Sequence, residues 1–117
     1  MKVIPDKAEV AVEFPDKAYM GTFGHNCRFE ARADGTGVAI RLERHDSEKR
    51  EVDVHIHHGL FADILDELAE AVAAQPPIDT PHREALLAAA QRLAGALKAK
   101  HQAARATTRS EPGKKDS

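Results

Sequence analysis

Apolar and polar residues alternate through the first half of the chain, and this pattern predicts β-strands. Four segments show it. Their apolar members are Val10, Val12 and Phe14 in the first; Phe29, Ala31 and Ala33 in the second; Val38, Ile40 and Leu42 in the third; and Val52, Val54 and Ile56 in the fourth. Turn-forming residues separate them at Pro15-Asp16-Lys17, Gly24-His25-Asn26, Asp34-Gly35-Thr36-Gly37 and His45-Asp46-Ser47. Because no helical pattern intervenes, we expect neighbouring strands to pair antiparallel in a meander.

Charged residues select a register for the hairpin formed by the second and third of these segments. A two-residue loop at Gly35-Thr36 sets Arg28 against Glu43 and Glu30 against Arg41. Both are opposite-charge pairs, which favour this register over one shifted by two residues. These strands then share one apolar inner face and one charged outer face.

The next hairpin is expected to close through a three-residue loop at 45–47. That loop sets Arg41 against Glu51 and Glu43 against Lys49, again in opposite-charge pairs. The charges therefore predict where both strands pair.

The second half of the chain changes to a helical period. The first helix has an apolar stripe of Leu60, Phe61, Ile64, Leu65, Leu68 and Val72, and it ends before Pro76-Pro77. Thr80 is the expected N-cap of a second helix, with Pro81 in its first position. The stripe of this second helix consists of Leu86, Leu87, Ala90, Leu93, Ala94 and Leu97.

These patterns predict an α+β protein. Its expected architecture is an antiparallel meander sheet of four to five strands, followed by two C-terminal helices packed on one face of the sheet. Residues 1–102 are expected to form a single domain. From residue 103 onward the chain has no Val, Ile, Leu, Met or aromatic residue, so we expect 103–117 to be a disordered basic tail.

Composition supports a cytoplasmic protein. The 117 residues are 42% hydrophobic and 31% charged, close to ordinary globular values. The single cysteine, Cys27, excludes an intrachain disulfide and favours a reducing compartment. We expect no secretory signal, since the first residues lack an apolar stretch, and no membrane span, since no apolar run approaches ~20 residues.

The net charge of −2 hides an asymmetry between the two ends of the chain. Residues 1–78 carry 9 Lys/Arg and 15 Asp/Glu, whereas residues 79–117 carry 8 and 4. An acidic helix beside a basic helix explains this, and so does a basic arm that contacts an anionic partner. Because the basic residues lack interleaved aromatics, we expect no nucleic-acid site beyond a weak, salt-sensitive contact.

Histidine is the enriched residue type, and its spacing suggests a metal site. His55 and His57 lie two apart on a strand and so share one face, and His25 and Cys27 show the same spacing. Together these four residues would supply a tetrahedral set for zinc or another transition metal. They are the candidate metal ligands of the sequence.

The pleat of the sheet argues against that set. Cys27 shares its parity with Phe29 and so belongs to the apolar inner face, whereas His55 and His57 share theirs with Asp53 on the outer face. A β-bulge would be needed to bring the two halves together. Without one, no cofactor is expected.

Catalytic sets are few, and whether the chain is an enzyme stays open. Cys27 with His25 or His58 would be a nucleophile with its base, and His55 with Asp53 a base with its orienting group. A cleft lined by His58, His25 or Tyr19 would be needed to hold a substrate. The segment Gly21–Gly24 matches no phosphate-binding signature.

The function that these features favour is a small non-catalytic binding or accessory module of unknown partner. It would engage a protein partner through the outer sheet face or the second helix, and self-associate as a homodimer through the alanine-rich second helix. The alternative is a metal-binding protein or metal-dependent enzyme that uses the four candidate ligands.

Overall fold

A computed structural model describes residues 1–45 and 48–109 of the chain. Six strands precede two helices: β1 Lys2–Val3, β2 Ala8–Phe14, β3 Lys17–Phe23, β4 Cys27–Ala33, β5 Gly37–Arg44, β6 Arg50–His57, α1 His58–Ala74 and α2 Thr80–Arg109. Every paired strand runs antiparallel to its neighbour. No helix of this described part is both long enough and apolar enough to cross a membrane.

The strands form two sheets. One has four strands in the order β1-β4-β5-β6, and the other is the hairpin β2-β3. This confirms the α+β class, with an antiparallel four-stranded sheet and two helices after it. Strand β1, which the sequence pattern did not predict, pairs with Arg28 and Phe29 at the start of β4. The β2-β3 hairpin is therefore an insertion between two adjacent strands of the larger sheet.

The predicted register of the β4-β5 hairpin is confirmed. Arg28 faces Glu43 and Glu30 faces Arg41. The Asp34 N–H donates to the Gly37 carbonyl oxygen at 2.9 Å and closes the two-residue loop.

The predicted register of the β5-β6 hairpin is wrong by two residues. Arg41 faces Asp53 and Glu43 faces Glu51, so the connection is two residues longer than expected. The reason lies on the inner face, where this register sets Leu42 against Val52, while the predicted one would have set Leu42 against a charged arginine. The apolar pair decides the register, because Leu42 and Val52 pack against the core while Arg41 still contacts Glu51 in the observed pairing.

A small core lies between the hairpin and one end of the four-stranded sheet. Ile4, Phe23 and Cys27 are buried, and the partly buried apolar residues packed against them are Val10, Phe29, Leu42 and Val52. We call the sheet residues of this cluster, Cys27, Phe29, Leu42 and Val52, the covered half of the inner face. The rest of that face is the open half and consists of Ala31, Ala33, Val38, Ile40, Val54 and Ile56.

Helix α1 follows β6 without a loop and buries none of its residues. In its stripe Leu60, Leu65, Leu68 and Val72 are exposed, and Phe61 and Ile64 are half-buried. The side of α1 that was expected to lie on the sheet thus remains open to solvent along most of the helix.

The chain divides into two compact units, with the boundary between Ala73 and Ala74. Asp79, and not Thr80 as expected, is the N-cap of α2, because its carboxylate accepts the His82 N–H at 3.2 Å. The helix continues to Arg109, so residues 103–109 of the expected tail are helical, and 110–117 lie outside the described residues. The single-domain assignment to 1–102 stays a prediction.

Candidate functional site

The histidines of β6 gather at the Asp34–Gly37 turn, at one end of the four-stranded sheet. The turn is built by the Asp34 side chain, whose Oδ1 accepts the Thr36 N–H at 2.8 Å and the Gly37 N–H at 3.0 Å. The Thr36 hydroxyl also donates to Oδ1, at 2.8 Å. An aspartate that bonds the backbone two and three residues ahead is a standard turn-former, so this sequence folds locally into a fixed loop.

These hydrogen bonds set the electrostatics of the turn. The Thr36 N–H, then the Thr36 hydroxyl and the Gly37 N–H, lower the pKa of Asp34 from 3.8 to about 2. All three donors favour the charged carboxylate, and the nearby His55 adds a smaller attraction. The Asp34 carboxylate therefore accepts the hydrogen bonds that hold the loop in its conformation.

Two histidines contact this turn directly. His55 Nε2 lies 3.3 Å from the Thr36 hydroxyl oxygen, and His58 Nε2 lies 3.0 Å from the Asp34 carbonyl oxygen. Since the Thr36 hydroxyl gives its one proton to Asp34, His55 Nε2 must be the donor to that oxygen. His57 completes the group, with its ring centroid 5.1 Å from that of His55.

This arrangement is not a nucleophile with its base. A base would have to accept the Thr36 proton, but that proton is directed at Asp34 and not at His55. The contacts instead fix the end of β6 to the β4-β5 loop. Gly37 is required there, because a Cβ at this position would lie 2.8 Å from the His57 Cα.

The structure separates the four candidate metal ligands into two distant pairs. Cys27 lies beside Arg44, which in turn faces Arg50, while His57 is seven residues further along β6. At about 3.3 Å per residue this separates Cys27 from His57 by more than roughly 20 Å. Within residues 1–45 and 48–109, no three His, Cys, Asp or Glu side chains are placed to hold a metal ion.

The candidate catalytic residues are dispersed as well. Cys27 is 2% exposed, and its thiol contacts only its neighbour Asn26 among the hydrogen bonds described, at 3.4 Å. His25 lies in the exposed turn just before β4, whereas His58 is at the opposite end of the sheet. Tyr19 lies on the hairpin and lines a groove whose walls include neither His25 nor His58.

The outer face carries an ion-pair network that the sequence pattern indicated only in part. Arg41 contacts Glu43 at 2.7 Å, Asp53 at 3.9 Å and Glu51. His45, hydrogen-bonded to Glu43, is the first cause of the lowered pKa of that carboxyl, with Arg41 adding attraction. The alternation of charges was the signal for this network. The predicted register set Arg41 directly opposite Glu51, whereas Arg41 lies opposite Asp53 and contacts Glu51 diagonally.

A groove of about 430 Å³ lies between the hairpin and the start of β6. Its walls are largely apolar and consist of Val10, Val12, Tyr19, Met20, Gly21, Phe23, Arg50, Glu51 and Val52. Sequence reasoning missed it, because β3 was not among the alternating segments, and the alternation in β2 shows which residues share a face but not where the hairpin lies.

Helix α1 presents a second apolar surface, of a different kind. A shallow depression runs along it, lined by Leu60, Asp63, Ile64, Glu67, Leu68 and Ala71. Its lining is mostly apolar and includes two carboxylates, a composition that is compatible with a protein-contact surface. The helical period of the sequence predicted this stripe but assigned it to the protein's own core.

No protein-family model matches the chain, and the searches of curated proteins and of solved structures found no match either.

Proposed function

We propose that this chain is a small non-catalytic binding module that acts as a homo-oligomer. The observation that carries the proposal is the exposure of α1, whose stripe residues Leu60, Leu68 and Val72 are each more than half exposed. The apolar side of an amphipathic helix is usually buried in a folded protein. An apolar stripe that stays exposed is therefore a sign of a contact surface.

The charges of the two helices support self-association. Helix α1 contains four acidic residues and no lysine or arginine, whereas α2 contains six basic residues and one acidic residue. Oppositely charged amphipathic helices attract one another and repel their own kind. A second copy of this chain therefore offers α1 a surface of complementary charge.

A binding role also fits the chemistry of the histidine end. The hydroxyl and carboxylate there are committed to the loop, and a metal ion held by His55 and His57 alone would have two protein ligands, fewer than the four of a structural zinc site. We therefore do not propose a metal-dependent or hydrolytic activity. We assign the module to the cytoplasm, a reducing compartment, because its one cysteine is a buried free thiol.

Sedimentation velocity tests the proposal with two matched variants. Leu68→Glu places a charge inside the stripe, and Ala62→Glu places the same charge on α1 outside the stripe. We expect the unmodified chain and Ala62→Glu to sediment as oligomers. Leu68→Glu should raise the dissociation constant about tenfold or more, since a carboxylate is costly to bury without a partner.

A monomeric unmodified chain would contradict the homo-oligomer. If Leu68→Glu and Ala62→Glu associate with equal affinity, α1 is not the contact surface. Circular dichroism of both variants checks that the helix content is retained.

A further inference from the structure

Strand β6 is an edge strand, and no strand among residues 1–45 and 48–109 pairs with its outer edge. It is eight residues long, contains no proline and pairs with β5 without a bulge. The other edge of the sheet, β1, is only two residues long. Shortness, proline and bulges, three of the usual protections of a sheet edge, are thus absent from β6. Its charged residues are Arg50, Glu51 and Asp53, so a further strand on this edge has to match those charges.

The direction of the free hydrogen-bonding groups on β6 follows from one contact. The His58 N–H donates to the Thr36 carbonyl oxygen at 3.2 Å, in line with the β5-β6 register. Backbone groups alternate in direction along a strand, so the even-numbered residues of β6 bond to β5. The odd-numbered residues point their N–H and C=O groups away from the sheet: Glu51, Asp53, His55 and His57.

We infer that two copies of this chain join through antiparallel pairing of β6 with β6, with Val54 facing its counterpart on a two-fold axis. The inference rests on the proposed homo-oligomeric function and names the surface that it uses. The two sheets then become one eight-stranded sheet.

The outer-face residues of β6 complement themselves in this register. Asp53 faces His55 of the second copy, and Glu51 faces His57 of the second copy, so every acid meets an imidazole. These are odd-numbered residues, whose free backbone groups point to the same edge and are therefore placed to exchange hydrogen bonds. A shift of two residues in one direction sets Asp53 against itself, which like-charge repulsion disfavours. A shift in the other direction sets His55 against itself, with no acid opposite it.

The inner-face residues match in the same register. Val54 meets Val54 of the second copy, and Val52 meets Ile56 of the second copy. Val54 is 43% exposed in the single chain, and Ile40 beside it is 38% exposed. Pairing thus extends the apolar open half across the two-fold axis and leaves no charged residue facing an apolar one among these pairs.

The register also gives the exposed α1 a neighbouring surface. His58 of the second copy, where α1 begins, comes to lie opposite Arg50, and Arg50 lines the apolar groove beside the hairpin. The stripe of α1 in one copy therefore starts next to the groove of the other copy. One arrangement accounts for the free edge, the apolar groove and the exposed stripe.

A cysteine at position 54 tests this register. Opposed residues in a pair without mutual hydrogen bonds have Cα atoms about 4.5 Å apart, within the range that a disulfide spans. In a Cys27→Ala background, Val54→Cys treated with oxidised glutathione should form a covalent dimer on a non-reducing gel. The matched control is Ile40→Cys, which lies on the same face with similar exposure. Its two thiols would be about 14 Å apart across three strand spacings, too far to join.

The expected result is about tenfold or more covalent dimer for Val54→Cys than for Ile40→Cys at micromolar protein, since pairing raises the local thiol concentration. Equal cross-linking of the two variants would mean chance collision or face-to-face packing and would overturn the inference. If the unmodified chain sediments as a dimer while Val54→Cys stays unlinked, the β6 register is wrong and the proposed function survives. A monomeric unmodified chain refutes both.

A second variant decides the question if Val54→Cys does not fold. Asp53→Pro removes an N–H that points away from β5, a position where an edge strand tolerates proline. The proline ring would block a strand arriving at that edge. A folded, monomeric Asp53→Pro is the expected result, and a folded Asp53→Pro that still dimerises with the affinity of the unmodified chain would overturn the inference.

Discussion

The covered and open halves of the inner sheet face share the same strands and the same apolar alternation, but differ in what lies over them. In the covered half, Phe23 of the hairpin and Ile4 pack on the sheet and bury Cys27. In the open half, Ile40 and Val54 remain more than a third exposed. The comparison teaches that alternation determines which face is apolar, whereas the covering comes from segments distant in sequence or from another chain.

The largest expected effect on stability comes from truncating Phe23, the hairpin residue that packs on the covered half. Phe23 is 4% exposed in the core, so Phe23→Ala should lower the free energy of unfolding by about 3–5 kcal/mol, the usual cost of deleting a buried ring. Phe14→Ala is the matched control in the same hairpin, since Phe14 is 51% exposed and its ring meets that of Tyr19 edge-on.

Urea denaturation at one fixed protein concentration measures both variants. Phe14→Ala should cost about 1 kcal/mol, the value of an exposed aromatic pair. Similar losses in the two variants would contradict the assignment of the core to the covered half.

A smaller effect is expected where the open half ends, at the Asp34 turn. Its hydrogen bonds lower the pKa of Asp34 from 3.8 to about 2. A carboxyl whose pKa is lower in the folded state stabilises that state above its ordinary pKa, and the stabilisation is lost as the pH falls toward the lowered value. The turn should therefore weaken between about pH 4 and pH 2.

Thermal melts of the unmodified chain and Asp34→Asn across this range test the effect. The asparagine keeps an oxygen for the loop amides but does not titrate, so its melting temperature should fall less steeply with acid. Parallel curves for the two proteins would show that Asp34 does not carry this pH dependence.

Much of the larger sheet could be predicted from the sequence, because its strands alternate strictly and the Gly35-Thr36 loop is two residues long. The β5-β6 register could not, since its loop length is set by the match of Leu42 with Val52 and not by the charges on the other face. Strand β1 was missed because two residues carry no period. Its place beside β4 is instead secured by tertiary contacts, including the bond from the Ile4 N–H to the Cys27 carbonyl oxygen at 3.1 Å.

The candidate sites show the same limit. Parity correctly separated Cys27 on the inner face from His55 and His57 on the outer face, because side-chain direction in a strand is a local property. The distance between them along the sheet was not predictable in this way, and neither was the bond between Thr36 and His55, which joins residues on different strands. The apolar groove depends on where an inserted hairpin lies, which no local pattern specifies.

Amide hydrogen exchange on the unmodified chain tests most directly the claim that a second copy covers the free edge of β6. The amides of Val54 and Ile56 bond to β5 and should be protected in any folded chain. We predict that the amides of Asp53 and His55 are protected to a comparable degree, because they bond to the second copy. Exchange of Asp53 and His55 at the rate of an unstructured peptide, with Val54 and Ile56 still protected, would contradict the account.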